Sequence, residues 1–271
     1  MLTDYHIHIE NGDYTLSWLE RFVKKAKDLG IEELGISEHC YRFIETSHIF
    51  NSEYWNKRRT ESLLEYLDLL KEANKTGMRI KKSTEFDYIP GLERKIEEFL
   101  NKYNLDYVIG SIHWLDNWGF DVPEMKAIWD KSDIKEVYMK YFDIICSMAD
   151  SQLFDVVGHF DIIKVFGYEP QKFDRDILNV IEKAVQKIKD NKMCIEISTA
   201  GLRKPVGEIY PKKNWLKLFY EAGVPIVLSS DAHYPEDVGA DYKQAIALAN
   251  EVGYEKIAVF KDRKYKLMPL G

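Results

Sequence analysis

Along this chain short apolar runs alternate with longer stretches in which apolar residues recur every three or four positions, the patterns of buried strands and one-sided helices. Residues 2–9 read as a first strand. Residues 16–29 carry Leu19, Phe22, Val23, Ala26 and Leu29 at helical spacing and stop at Gly30. Residues 33–37 form a second strand, 55–73 a second helix and 78–85 a third strand. The alternation then continues through helix 92–100, strand 107–112, helix 135–148, strand 154–157, helix 174–188, strand 193–197, helix 214–222 and strand 225–228. A helix over 241–252 follows, with 257–260 and 265–268 as a short terminal strand or extension. Strand and helix in strict alternation predict right-handed βαβ units around a parallel sheet, and seven strands predict a closed or nearly closed barrel. The irregular stretches, 40–54, 116–132 and 199–213, each follow a strand end directly.

A length of 271 residues suits one α/β barrel, and no break in composition, repeat or linker divides the chain, so residues 1–271 are expected to form a single domain. No apolar run is long enough for a membrane span. The first strand begins almost at Met1, which leaves no room for a signal peptide, and a cytoplasmic protein is expected. Cys40, Cys146 and Cys194 are widely spaced, without a C-x-x-C, and read as buried small residues. A net charge of −7 argues against a nucleic-acid groove but not against an anionic small molecule, because bound divalent metals reverse the local sign.

The histidines change this picture. His6 and His8 are two apart on the first strand and project to one face. His39 follows strand two, Glu85 ends strand three, His113 ends strand four, His159 follows strand five, and Asp231 and His233 follow strand seven. Six of the seven histidines therefore gather at the carboxyl ends of strands, the face on which barrel enzymes assemble their sites, and only His48 stands apart. Imidazoles with a few carboxylates suit zinc, iron or manganese, and the supply exceeds one tetrahedral site, so two or three divalent ions are expected. Such ions clamp the oxygens of a phosphoryl displacement and activate water at neutral pH.

In order and spacing, His6-Ile-His8, the Glu38 and His39 pair, Glu85, Gly110-Ser-Ile-His113, Gly158-His159-Phe-Asp161 and Ser230-Asp231-Ala-His233 resemble the motifs of the polymerase and histidinol phosphatase (PHP) superfamily. Three further strings, Gly110 to Asp121, His159 to Lys164 and Gly201-Leu-Arg-Lys204, are similar to those of its monofunctional histidinol-phosphate phosphatases. The resemblance implies a distorted (β/α)7 barrel with a trinuclear metal site, hydrolysing L-histidinol phosphate in histidine biosynthesis. It assigns His6, His8, Glu85 and Asp231 to one metal, Glu85, His113 and His159 to a second, and His39 and His233 to a third. Many members place another histidine after the first strand. Here that loop reads Glu10-Asn-Gly-Asp13, and either carboxylate is a substitute ligand.

For the phosphate, Arg203 is the first choice because a guanidinium matches two phosphate oxygens, with Lys204 and Arg42 as alternatives. Asp231 or His233 could manage the leaving-group proton. Asp161 either orients a ligand, meets the substrate or forms a loop hydrogen bond. An imidazole and amino group on the substrate would call for aromatic and acidic partners, for which Trp114, Trp118, Phe120 and Tyr88, and Asp87, Asp116, Asp121 and Glu208, are available. The competing readings are a PHP phosphoesterase for another small ester, a barrel amidohydrolase, or a noncatalytic module working with a polymerase. The amidohydrolases usually add a bridging lysine at a strand end, and none is evident here.

Overall fold

In the computed structural model, which describes residues 1–271, the amphipathic stretches fold as their apolar stripes require. The elements run β1 (Thr3–Ile7), α1 (Leu16–Asp28), β2 (Glu33–Ile36), α2 (Glu53–Arg58), α3 (Leu63–Lys75), β3 (Ile80–Lys82), β4 (Glu85–Asp87), α4 (Glu93–Leu100) and β5 (Ile109–Ser111). They continue through β6 (Trp114–Leu115), β7 (Trp118–Gly119), α5 (Ile134–Ser151), β8 (Val156–Val157), α6 (Arg175–Asp190), β9 (Cys194–Ser198), α7 (Lys213–Ala222), β10 (Ile226–Ser229), α8 (Tyr242–Val252), β11 (Lys256–Lys261) and β12 (Lys264–Pro269). Thr15, Ser62 and Asp174 cap their helices by accepting from the amides of Trp18, Glu65 and Ile177.

The parallel strands form two sheets, β1-β2-β3 and β10-β9-β8-β5-β4, joined at two seams. At one, Ile7 pairs with Ala232, and the His8 amide donates to the Ala232 carbonyl at 2.8 Å. At the other, His39 pairs with Glu85, whose amide donates to Ser37 and Glu38. The result is a distorted (β/α)7 barrel. Its third strand is the source of the distortion. The strand expected over 78–85 is interrupted at Ser83 and Thr84, so that β3 pairs with β2 while β4 turns to pair with β5.

A second departure lies in the helix expected over 55–73, which is two helices. Arg59 is extended (φ −81°, ψ 90°), and the Glu61 backbone exchanges hydrogen bonds with Arg42 and Ile44 before Ser62 starts α3. The connection pins the segment after β2 over the barrel mouth. No helix is long and apolar enough to cross a membrane.

Seventy buried residues fill the layer between helices and strands. A separate cluster of eight, Tyr5, Tyr107, Ile109, Val156, Cys194, Val227, Ala258 and Phe260, fills the lower barrel interior. Tyr5 and Tyr107 stack at 5.0 Å, and Phe260 lies 5.3 Å from Tyr107, delivered by the β11–β12 hairpin from below. Gly35 is required beside them, since a Cβ there would sit 1.7 Å from Tyr107 Oη. Although adjacent in sequence, Tyr5 and His6 both face the interior. The register shift of β1 between Asp4 and Ile7 makes this possible, as bulges beside active sites do.

Candidate metal centre

Above the aromatic plug every barrel strand sends a polar side chain toward the axis. Glu85, from β4, is at the middle and fully buried. Its Oε1 lies 3.0 Å from His159 Nε2, 3.5 Å from His6 Nε2 and 3.6 Å from His113 Nε2. Its Oε2 lies 2.7 Å from His39 Nδ1 and 3.7 Å from His8 Nε2. Asp231 Oδ1 stands 3.2 Å from His8 Nε2 and 3.8 Å from His6 Nε2. His233 stacks on His8 with ring centroids 4.5 Å apart and completes the set.

Three expected groups are brought together: His6, His8 and Asp231 beside Glu85; Glu85, His113 and His159; and His39 with His233, where His8 is also in reach. Asp231 (φ 50°) and His159 (φ 22°) hold left-handed backbone conformations that turn them in at their strand ends.

Carboxylates behind the histidines fix which nitrogen faces inward. Asp87 Oδ1 accepts from His113 Nδ1 at 2.7 Å, Glu196 Oε2 from His6 Nδ1 at 2.9 Å, and Glu38 Oε1 from His8 Nδ1 at 3.3 Å. Each pairing turns Nε2 toward Glu85, the orientation that carboxylates behind the ring give to metal-binding histidines. His6 Nε2, His8 Nε2 and Glu85 Oε2 are buried with no hydrogen-bond partner. His113 Nε2 and His159 Nε2 face each other at 3.3 Å, an arrangement of ring nitrogens that a shared cation explains. Metal therefore fits these residues, and imidazole with carboxylate is a donor set for zinc, iron or manganese.

The electrostatics agree. Burial disfavours charge on His8, but the nearby carboxylates of Asp231 and Glu38 outweigh it and push its pKa up to about 10. In His113 burial is again outweighed, here by Glu85 and Asp87, and the pKa reaches about 10. His233 moves the other way, down to about 4, through burial and the neighbouring His8 charge. The carboxylates at the centre of the cage favour positive charge there.

Sequence reasoning missed Glu196 and the orienting roles of Glu38 and Asp87. Glu196 has no exposed surface; its Oε1 accepts from the His159 amide at 2.6 Å and its Oε2 from His6, so both oxygens serve neighbours. Of the two loop carboxylates after β1, Glu10 reaches the cage, with Oε1 3.6 Å from His233 Nε2, whereas Asp13 is exposed. His48 is an exposed loop residue. Cys40 is buried, and burial pushes its thiol pKa well up.

The phosphate candidates separate. Arg203 Nη2 donates to the Ser230 carbonyl at 2.6 Å and to that of Asp231 at 3.5 Å, which anchors the guanidinium at the rim beside Asp231. Arg42 is held between Glu10 (3.1 Å) and Glu61 (3.7 Å), and Lys204 is exposed. Asp161 is buried and accepts from Lys164 Nζ at 2.9 Å and the Lys212 amide at 3.1 Å, the loop hydrogen bond among its expected roles. Trp114, on β6, is half-buried and packs against Tyr54 and Trp55 at 5.0 and 5.2 Å, forming one wall over the mouth.

Fold and cage together define a barrel protein that gathers histidines and carboxylates, a donor set that fits metal, at its strand ends. The family model for the PHP domain matches residues 4–200, and the chain belongs to that family. A probable histidinol-phosphatase of Deinococcus radiodurans is 30% identical over 97% of this chain and 98% of its own length. The histidinol-phosphatase of Bacillus subtilis is 26% identical over 89% of this chain and 96% of its own. Among solved structures, the histidinol phosphate phosphatase of Lactococcus lactis subsp. lactis, complexed with zinc, L-histidinol and phosphate, superposes with a TM-score of 0.76. That match covers 98% of both chains at 20% identity, and it shows the fold.

Proposed function

We propose that this chain is a histidinol-phosphatase, hydrolysing L-histidinol phosphate to L-histidinol and inorganic phosphate with two or three divalent ions held in the cage. The observation that carries the reading is the ring of buried, unpartnered imidazole nitrogens around Glu85, on a chain aligned almost end to end with histidinol-phosphatases. His6, His8, Glu85 and Asp231 would hold one ion, Glu85, His113 and His159 a second, and His39 with His233 a third, to which Glu10 could add an oxygen. Bound there, divalent metal supplies charge neutralisation for phosphoryl oxygens and activation of water.

The chain's own groups do the rest. Arg203, fixed at the rim beside Asp231 by two carbonyls, meets the phosphate dianion. His233, at the edge of the cage, and Asp231 are placed to pass the leaving-group proton. Trp114 covers the organic part of the ester. We assign these roles to residues 1–271 acting as one domain in the cytoplasm, and the net charge of −7 supports a small ligand over a nucleic acid.

The deciding measurement is phosphate release from L-histidinol phosphate against a panel of small monoesters, with metal content quantified before stripping and after reloading. A kcat/KM preference for L-histidinol phosphate that disappears on stripping and returns with zinc, iron or manganese is expected. Activity centred on another ester would move the protein elsewhere in the PHP family. Silence towards every monoester with metals fully loaded would overturn phosphatase chemistry altogether.

A further inference from the structure

One buried polar group close to the cage is used by nothing described so far. Tyr210 is 1% exposed, and its hydroxyl is buried with no hydrogen-bond partner. An unpartnered buried hydroxyl is costly and calls for an explanation.

The chain builds this position deliberately. After β9 the backbone leaves as a 3-10 turn over Thr199–Arg203 and returns so that Tyr210 pairs with Ser198. The Ser198 amide donates to the Tyr210 carbonyl at 2.7 Å, and the Tyr210 amide to the Ser198 carbonyl at 3.0 Å. The loop that carries Arg203 outward thus brings Tyr210 back to the end of the strand that carries Glu196. There its ring stands edge-on to His159, with centroids 6.4 Å apart, and Lys164 Nζ lies 5.5 Å from its centre. Gly201 leaves the space, since a Cβ there would come within 2.9 Å of Tyr210 Cζ and 1.9 Å of the Glu208 carbonyl. This gives a physical reason for the glycine that begins the Gly201-Leu-Arg-Lys204 string.

We propose that Tyr210 Oη is a substrate contact, donating a hydrogen bond to a phosphoryl oxygen of the ester bound over the cage. The inference rests on the proposed function. Burial and the surrounding carboxylates, Asp161, Asp231, Asp121 and Glu208, push the phenol pKa up, so the group remains an O–H donor. None of those carboxylates accepts from it, although each is close enough to act on its charge. What the hydroxyl lacks is an oxygen acceptor, and a phosphate dianion bound at the cage beside His159 brings one. Arg203, anchored beside Asp231, would meet the same dianion from a second direction.

The test is Tyr210→Phe, which removes one oxygen that no protein group uses and leaves the ring packed. The variant is expected to keep the parent's metal content and melting temperature. Its kcat/KM for L-histidinol phosphate should fall by about ten- to hundredfold, the loss of one hydrogen bond to a charged group. Its calorimetric affinity for inorganic phosphate, with metals loaded, should weaken in parallel. A variant matching its parent in both readings overturns the contact, and so does a loss that merely follows lost metal. Should the parent prove inactive on histidinol phosphate, the functional reading fails instead. Weaker phosphate binding by the variant would then still uphold the contact.

Discussion

Glu196 shows what one side chain does in this cage. It lies mid-strand in β9 with no surface, and its two oxygens hold the His6 ring and the His159 backbone. Glu196→Gln puts an amide nitrogen against one of those N–H donors, so one neighbour loses its acceptor. Metal affinity, measured by competition with a chelator, is expected to fall about 10- to 100-fold, as for other outer-shell partners of metal-binding histidines; unchanged affinity would show that the ring needs no such support. The convergence of the candidate ligands was legible because histidine at strand end after strand end has no packing rationale. Glu196 was not, because its partners lie 190 and 37 residues away and nothing local names them. The signal that was present, one carboxylate within the apolar run Cys-Ile-Glu-Ile-Ser, is that of a buried charge in need of a donor. Asp161 was open to several roles for a similar reason: its partners, Lys164 and the Lys212 amide, meet only when two loops close.

Among the elements, periodicity located strands and helices well where each is continuous and poorly where tertiary pairing interrupts it. Residues 55–73 keep a helical apolar pattern, yet the Arg59–Glu61 stretch goes to pairing with the segment after β2. Ser62, a capping residue three positions before Glu65, was the available sign. The break in the third strand has no comparable sign, since β3 and β4 differ only in which neighbour each pairs with. The terminal residues, which the sequence left as strand or extension, form the β11–β12 hairpin that seats Phe260 under Tyr5 and Tyr107. Phe260 is 1% exposed, and Phe260→Ala is expected to cost about 3–5 kcal/mol of stability, read from denaturant midpoints, with metal content unaltered. A change well under that range would mean the plug is not integral to the barrel.

For the molecule as a whole, the cage joins residues from His6 to His233, drawing on every barrel strand. A metal that binds only the folded arrangement stabilises it by mass action, by about 2.7 kcal/mol when free metal is at 100 times its dissociation constant. Stripping the ions is therefore expected to lower the melting temperature measurably, and reloading to restore it. Equal melting temperatures for stripped and loaded protein would mean that the cage is held by the barrel alone. The sequence conveyed this level best, because strict strand–helix alternation admits few topologies and the histidines marked one end of it.

The aromatic stopper at the opposite end has a consequence for traffic. Tyr5, Tyr107 and Phe260 fill the lower interior and close that end of the barrel with side chains. On the proposed reading the ester enters phosphate first, and both fragments must leave by the way it came. The alcohol departs before the phosphate beneath it, and until the phosphate follows, the next ester waits outside.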